Sequence, residues 1–454
     1  MSKTRKVLLV LANGVGIFCL RKKTMKTLNF AILCATLLPT FSFANFVDDS
    51  QVSLTTRNFY LDRNFTEPEV KEPAAKIWTQ GFILNAKSGF TEGPVGFGLD
   101  LYAGAGFTLW GDKDYAPRVL QMAPLKANGE PEDSFGEIGL TGKAKISQTE
   151  VKVGTLFPSN PVLVASPARL LPQTYQGVSL ESKDIENIKV EAGYVDRVNH
   201  RDSTNWEKIR LSGANYKYKS VEADSLYYVG GYYYLRPETT FALFHGSLDD
   251  IYNQYTFWAR NTHHFNDRYK VFNDFRYFRT VDTGAAKAGD IDNHHANFVL
   301  ALGVDNHTFT TGYIHNSGDT GFPYLSVGEA NTYIDAWATD FLNPNEKAWS
   351  VRYDYDFKNE IPGLKFMMRY TDAKDIKLDN LRAHYAQTGT YKMDDDLTER
   401  KFGVELSYQL QSTKLKGLFI RLRHENYKNN FGPDATFRTA KEQRVNIDYT
   451  WKFK

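Results

Sequence analysis

Arg352 in "AWSVRYDYDF", Arg369 in "GLKFMMRYT", and Arg421 with Arg423 in "LFIRLRHENY" occupy the same kind of position. Each falls on the polar parity of a stretch whose alternate residues are apolar or aromatic. Arg444, at the head of "RVNIDYTWKFK", shares that parity. A guanidinium is a planar, permanently charged fork that grips a carboxylate through two parallel hydrogen bonds. Several on one wall would bind an anion and hand it on, without making or breaking a bond. The plainer reading is that each only neutralises a nearby acid: Glu405, Glu425, Asp354 or Asp356. Other reactive side chains are less organised. The ten histidines include the pairs His263-His264 and His294-His295, but no compact Ser-His-Asp set and no His-Glu-x-x-His signature accompanies them. They read as solvated rim residues.

What would hold such a row in place is written in the alternation itself. "RKFGVELSYQL" sets Phe402, Val404, Leu406, Tyr408 and Leu410 against Lys401, Gly403, Glu405, Ser407 and Gln409. "GEIGLTGKAKI" and "TEVKVGTLF" repeat the pattern, and the last strand, from Val445 to Phe453, closes the chain with it. Strict period two makes strands with one apolar and one polar face. With 31 Phe and 27 Tyr but a negative mean hydropathy, rings and glycines alternate with charges and do not gather in an aliphatic core. A soluble sandwich would fill its interior mainly with branched aliphatics. A membrane barrel turns the apolar face to lipid, marks the interfaces with rings and lines its lumen with the polar face. Nothing after residue 44 approaches 18 consecutive apolar residues, so a helical span is not expected there, whereas barrel strands need only about ten residues each.

Short turn signals, "KSGFTEG" and "FKNEIPG", predict tight connections at one rim. Longer polar stretches at 112–134, 156–182, 280–293, 316–347 and 371–399 predict loops at the other. The expected fold is all-β: a single transmembrane antiparallel barrel of 16 to 18 strands over residues 45–454.

The N-terminus reads as an export signal. "MKTLNFAILCATLLPTFSFA" has a basic start, an apolar run and small residues before Asn45, so cleavage is expected after Ala44, with Met25 as the expected translation start. Residues 1–44 hold seven Lys/Arg and no acid, which leaves 48 basic against 53 acidic residues beyond them. The apparent basicity therefore belongs to the signal, and no nucleic-acid partner is expected. Both cysteines, Cys19 and Cys34, also lie in the signal, so disulfides, Cys-ligated zinc and a Cys nucleophile are excluded beyond it. No cofactor and no metal are expected.

Several blocks carry a more specific signal: "RNFYLDRNF" (57–65), "WTQGFILNAKSGFTEGPVGFGLD" (78–100), "PARLLPQTYQGVSL" (167–180), "LDDIYNQYTFW" (248–258), "DNHTFTTGY" (305–313), "EKAWSVRYDYDF" (346–357), "IPGLKFMMRY" (361–370) and "FIRLRHENY" (419–427). In this order, the chain resembles the OprD/Occ family of outer-membrane porins. The resemblance implies an 18-stranded barrel narrowed by inward-folded third and seventh loops, with a basic ladder facing an electronegative pocket. It implies passive uptake of small carboxylate-bearing solutes such as amino acids, aromatic acids and short peptides, with carbapenems admitted by several members.

Carried across, the ladder falls on Arg57, Arg352, Arg369, Arg421 and Arg423, with Arg444 added from parity. The third loop corresponds to about 156–182, stiffened by Pro158, Pro161, Pro167 and Pro172, with Arg169 and Tyr175 expected at the constriction or pinning the loop to the wall. In the seventh, about 316–347, Asp340 aligns with an acidic pocket residue, while Asp335, Trp337 and Ala338 depart from the family's tyrosines and serines. Expected partners are small carboxylate solutes, outer-membrane lipid and the barrel-assembly machinery, with the barrel a monomer or a loose homotrimer. A general nonspecific porin is the alternative function. A barrel enzyme, or a structural protein without a conducting lumen, is the reading from other classes.

Overall fold

A computed structural model describes residues 44–67, 72–326, 328, 330, 332, 339–388, 396–411 and 414–454. The expected signal segment lies outside these residues, as do Asp335, Trp337 and Ala338. Eighteen long strands form the wall. The first nine are β1 (Gln51–Phe65), β2 (Ala74–Lys87), β3 (Gly96–Gly111), β4 (Ser134–Ile146), β5 (Thr149–Leu156), β6 (Thr174–Ser182), β7 (Ile188–Asn199), β8 (Leu226–Arg236) and β9 (Thr239–Leu248). The second nine are β10 (Tyr252–His264), β11 (Tyr269–Asp282), β12 (Asp292–Val304), β13 (His307–Ser317), β14 (Lys347–Asp356), β15 (Leu364–Ile376), β16 (Leu397–Gln409), β17 (Phe419–Asn429) and β18 (Ala440–Lys452). Each pairs antiparallel with its sequence neighbours, and β1 pairs with both β2 and β18, so the sheet closes and leaves no edge.

The burial pattern says which way the apolar face points. In β12, Phe298, Leu300 and Leu302 are 44, 40 and 43 % exposed, while Asn293, His295 and Asn297 are fully buried. A water-soluble domain would reverse that order. Here apolar side chains form the outer, lipid-facing surface and polar ones fill the interior. Among the described residues no helix is long and apolar enough to span a membrane; strands do the crossing.

The rims are unequal, as the turn signals predict. One carries 147–148, 183–187, 237–238, 265–268, 305–306 and 357–363, together with the slightly longer 88–95 and 410–418. The other carries 112–133, 157–173, 200–225, 318–346 and 377–396. Two expectations need correction. The constriction loop is 157–173, not 156–182, because alternation resumes at Thr174 and the chain pairs into the wall as β6 between β5 and β7. The loop at 371–399 is shortened at both ends by β15 and β16 and contains a helix, Asp379–Thr388. The long connection 200–225 had no counterpart among the expected loops.

Loops on the long rim fold inward. In 157–173, Leu170 lies against Gly81 of β2 and Val162 against Gly246 of β9; a Cβ at either glycine would come within 3.0 Å of the loop. The loop therefore spans the lumen from one wall to another. Leu163 packs with Tyr175, Leu211, Tyr218, Leu248, Ile251 and Leu325, a core shared by loops 157–173, 200–225 and 318–346. Leu170 and Leu171 join Leu120, Met122 and Phe135 in a second core against β1–β4.

Candidate functional site

The lumen-facing residues of β17, β18 and β1 stack in rungs. Arg423 pairs in register with Arg444, and Arg444 with Leu61. One rung toward the short rim, Arg421 stands opposite Asn446, and Asn446 opposite Phe59. One further rung down, Phe419 faces Asp448, and Asp448 faces Arg57. Alternation places these side chains inward because Val445 and Ile447 point to lipid.

A cavity of about 520 Å³ opens against these rungs. Arg57, Arg421, Arg423 and Arg444 line it from the wall, and Arg169 and Arg201 from loops 157–173 and 200–225. Among the described residues Asp448 is its one lining carboxylate. Each wall arginine has a local counter-charge. Arg57 Nε donates to Asp448 at 3.2 Å, and its Nη1 donates to the carbonyls of Arg169 (2.7 Å) and Pro167 (3.2 Å), tying the constriction loop to β1. Arg423 pairs with Glu405 at 2.5 Å, and Arg444 pairs with Glu442, which also accepts from Arg63 at 2.6 Å. Arg421 is held most loosely: its Nε lies 3.4 Å from Glu405 without hydrogen-bond geometry, and its guanidinium sits 4.8 Å from the Phe419 ring.

Arg169 Nε donates to the Leu120 carbonyl at 2.9 Å, while Arg201 donates to Ser166 Oγ at 3.0 Å and to Gln121 Oε1 at 2.5 Å. Burial and the charges of Arg201 and Arg444 push the Arg169 guanidinium well down from its ordinary value, the mark of a site crowded with cations. An anion entering the cavity relieves that crowding.

The remaining expected residues divide. Arg352 and Arg369 are cross-strand partners on β14 and β15 and do not line this cavity. Arg352 is gripped on both nitrogens by Asp354, at 2.8 and 2.7 Å, so its charge is spent locally. Tyr175 is fully buried in the loop core, on β6, and offers no ring to the lumen. Asp340 is buried too: Lys217 Nζ donates to it at 2.6 Å, Tyr324 Oη at 2.8 Å and the Leu342 N–H at 3.2 Å. It locks loop 318–346 to loop 200–225. Sequence reasoning missed Arg201 and Lys217, which lie in an aperiodic loop. Asp448 was findable, because it shares the lumen parity of Arg444. His294 meets Tyr277 and His295 meets Asn316, and no metal-holding cluster occurs among the described residues.

The neighbouring wall, around β5 to β7, is mixed in charge. A second cavity, about 460 Å³, is lined by Lys152 and Lys189 beside Glu150 and Glu191, paired at 3.3 and 2.6 Å.

At the foot of loop 318–346, Glu346 and Glu399 are buried side by side. Asn343 Nδ2 donates to both, at 3.0 and 2.9 Å, and Glu399 also accepts from Thr339 at 2.5 Å and Tyr427 at 2.6 Å. Burial and the facing Glu399 carboxylate push Glu346 well above its ordinary value, with Asp340 adding to the rise. A carboxyl raised in the folded state holds its proton there after the unfolded chain has lost it. The loop anchor is therefore strongest below the unfolded value of about 4.3, and weakens as pH rises through the folded one. Single-channel current noise should accordingly grow with pH and become flat in Glu346→Gln; equal pH dependence in both would exclude this pair as its source.

Comparison with known proteins agrees with this geometry. Residues 44–453 match the model of the outer membrane porin, OprD family. The chain is 32 % identical to Porin D of Pseudomonas aeruginosa over 89 % of its own length and 91 % of the relative's. Acinetobacter baumannii OccAB2 superposes with a TM-score of 0.83 at 49 % identity, covering 90 % of this chain and all of that one. Pseudomonas aeruginosa OpdK, solved with vanillate, superposes at 0.79 with 29 % identity and the same coverage. An 18-stranded closed barrel with long loops folded into its lumen, lying in the outer membrane, is the architecture of these channels, and the chain belongs to the OprD family of outer-membrane porins.

Proposed function

We propose that this porin passes small carboxylate-bearing solutes by passive, selective diffusion along the arginine rungs of β17, β18 and β1. The supporting observation is the cavity of about 520 Å³, in which, among the described residues, six guanidiniums meet one lining carboxylate. A one-signed cleft between low-dielectric walls concentrates counter-ions. Arg421, the least anchored member, is the rung at which a solute carboxylate gains two charge-assisted hydrogen bonds at least cost. Arg423 and Arg444 above it and Arg57 below already share acids, so they hold the solute weakly and release it, as conduction requires. Loops 157–173 and 318–346 bound the passage and set its size. The vanillate seen with OpdK, an aromatic carboxylate, is of the same chemical class.

Planar-bilayer recording of the refolded barrel tests the reading. Small conductance steps that flicker on addition of benzoate and short dicarboxylates, and not of neutral analogues, are the expected result. Large, quiet steps indifferent to every solute would replace it with a general diffusion porin.

A further inference from the structure

The outer wall of the barrel carries charge along one arc, near the rim that bears the long loops. Over six consecutive strands, β13 to β18, each turns one basic side chain outward at that end: His315, Lys347, Lys374, Arg400, Lys428 and Lys441. Their orientation follows from alternation, since the adjoining Ile314, Ala348, Ala373 and Tyr427 are buried inside. Register sets them side by side. His315, Lys347 and Lys374 are successive cross-strand partners, and Arg400 faces Lys428. Lys441 faces Asn426, one lipid-facing position below Lys428.

Toward the short rim, the same strands turn Val351, Met368, Leu406, Leu422 and Ile447 outward, and none of the six places a Lys or Arg on that part of its outer face. Across the barrel, the outward positions of β3–β6 near the long-loop rim carry no Lys or Arg either. Outward cations elsewhere near this rim, Lys76 on β2 and Arg279 on β11, are held by Asp62 at 3.2 Å and by Asp292, so what sets the arc apart is its row of cations that no carboxylate holds among the described residues.

Height fixes what the arc meets. Directly beneath it on the outer face are the rings of Trp349, Tyr370 and Phe402, with Trp349 and Tyr370 5.5 Å apart. Such rings sit at headgroup level, so the cations above them reach the phosphates of the outer leaflet. Lys347 is held by Asp375 at 3.0 Å. Lys374, Arg400, Lys428 and Lys441 have no carboxylate within ion-pair distance among the described residues. Arg400 faces the outward Asp372 across β15 and β16 and shares the Tyr370 hydroxyl with it, so Lys374, Lys428 and Lys441 are the cations of the arc that call for anions from the membrane.

We propose that this arc binds the phosphate-bearing headgroups of anionic lipid in the outer leaflet. The barrel is then coated unevenly, with headgroups held on the β13–β18 side. The reading does not depend on which solute the pore conducts.

Mass spectrometry of the intact barrel in detergent, with diphosphoryl lipid A as the probe, tests it. Each cation near an anionic lipid surface contributes a factor of about five, so K374Q/K428Q/K441Q should retain lipid A roughly a hundredfold less well than the parent. Dephosphorylated lipid A should be retained weakly by both. Salt should loosen the parent's lipid, a readout that does not depend on the variant's folding. Equal retention by variant and parent, retention indifferent to phosphate or to salt, or displacement by an equal concentration of inorganic phosphate would each overturn the proposal.

Discussion

Replacing Arg421 and Arg423 together by alanine is expected to remove solute-dependent block and to weaken the pore's preference for anions. A charge-assisted hydrogen bond contributes about 1.5–3 kcal/mol. Losing even one weakens binding of a carboxylate about tenfold or more, and losing a bidentate rung weakens it further. The larger effect comes from what remains. Glu405 accepts from Arg423 at 2.5 Å and lies 3.4 Å from Arg421, so the double variant leaves a half-buried lumen carboxylate with neither partner. The local positive potential then falls, although Arg57, Arg169, Arg201 and Arg444 still line the cavity. Arg421→Ala/Arg423→Ala/Glu405→Gln separates the two contributions: it should recover part of the anion preference while leaving the solute unbound. Arg352→Ala is the natural control, because Asp354 already occupies both of that guanidinium's faces. Benzoate block and reversal potential would be measured for all three. Unchanged block in the double variant, or an equal loss in Arg352→Ala, would sink the assignment of the rungs.

How far the site was legible in the sequence follows from what kind of order each residue obeys. Arg421, Arg423 and Arg444 lie in strands, where period two alone decides lumen or lipid, and the barrel honours that parity from β12 to β18. Arg352 and Arg369 obey it as well, yet parity cannot say which rung meets a cavity and which meets an acid two residues on. Tyr175 was misplaced for a related reason. The four prolines all fall within the loop, but its boundary at Thr174 is set where β6 pairs with β5 and β7, which the spacing of the prolines does not announce. Asp340 shows the other limit. Its partner Lys217 comes from 123 residues away, in a loop with no periodicity, so neither its burial nor its neutralisation had any local trace. Strand order around a barrel is read from alternation, whereas loop-to-loop locks in its lumen are tertiary.

That lock carries the second large prediction. Lys217 and Asp340 form an ion pair inside the mouth, with 1 and 11 % side-chain exposure and 2.6 Å between the charged atoms. Breaking a buried pair from one side costs about 3–5 kcal/mol, because the surviving charge is left desolvated and alone. In Lys217→Ala, Asp340 keeps, among the described residues, the Tyr324 hydroxyl and the Leu342 N–H. Among the described residues the other holds of loop 200–225 on this region are uncharged: the Ser212 N–H to the Tyr324 carbonyl at 2.9 Å, the Ser326 N–H to the Arg210 carbonyl at 2.7 Å, Tyr218 Oη to the Gly321 carbonyl, Asn215 to Asn343 at 3.2 Å, Asn215 to the Thr436 backbone and hydroxyl at 3.0 and 2.9 Å, and the packing of Leu211 and Tyr218 with Leu325. Their cost is spread over hydrogen bonds of about 1 kcal/mol each. Losing the ion pair should therefore free loop 318–346 from its position beside the arginine cavity, giving larger and noisier conductance steps. The wall, whose strand pairing does not involve either residue, should keep its resistance to heat and detergent. Lys217→Met/Asp340→Asn tests the cause, since it leaves no charge to desolvate and preserves an acceptor for Tyr324. It should restore most of the quiet, narrow behaviour. If the single variant conducts like the parent, loop 318–346 is held by its other contacts and the lock does not set the aperture. If the double variant stays noisy, the volume of the lysine matters more than its charge.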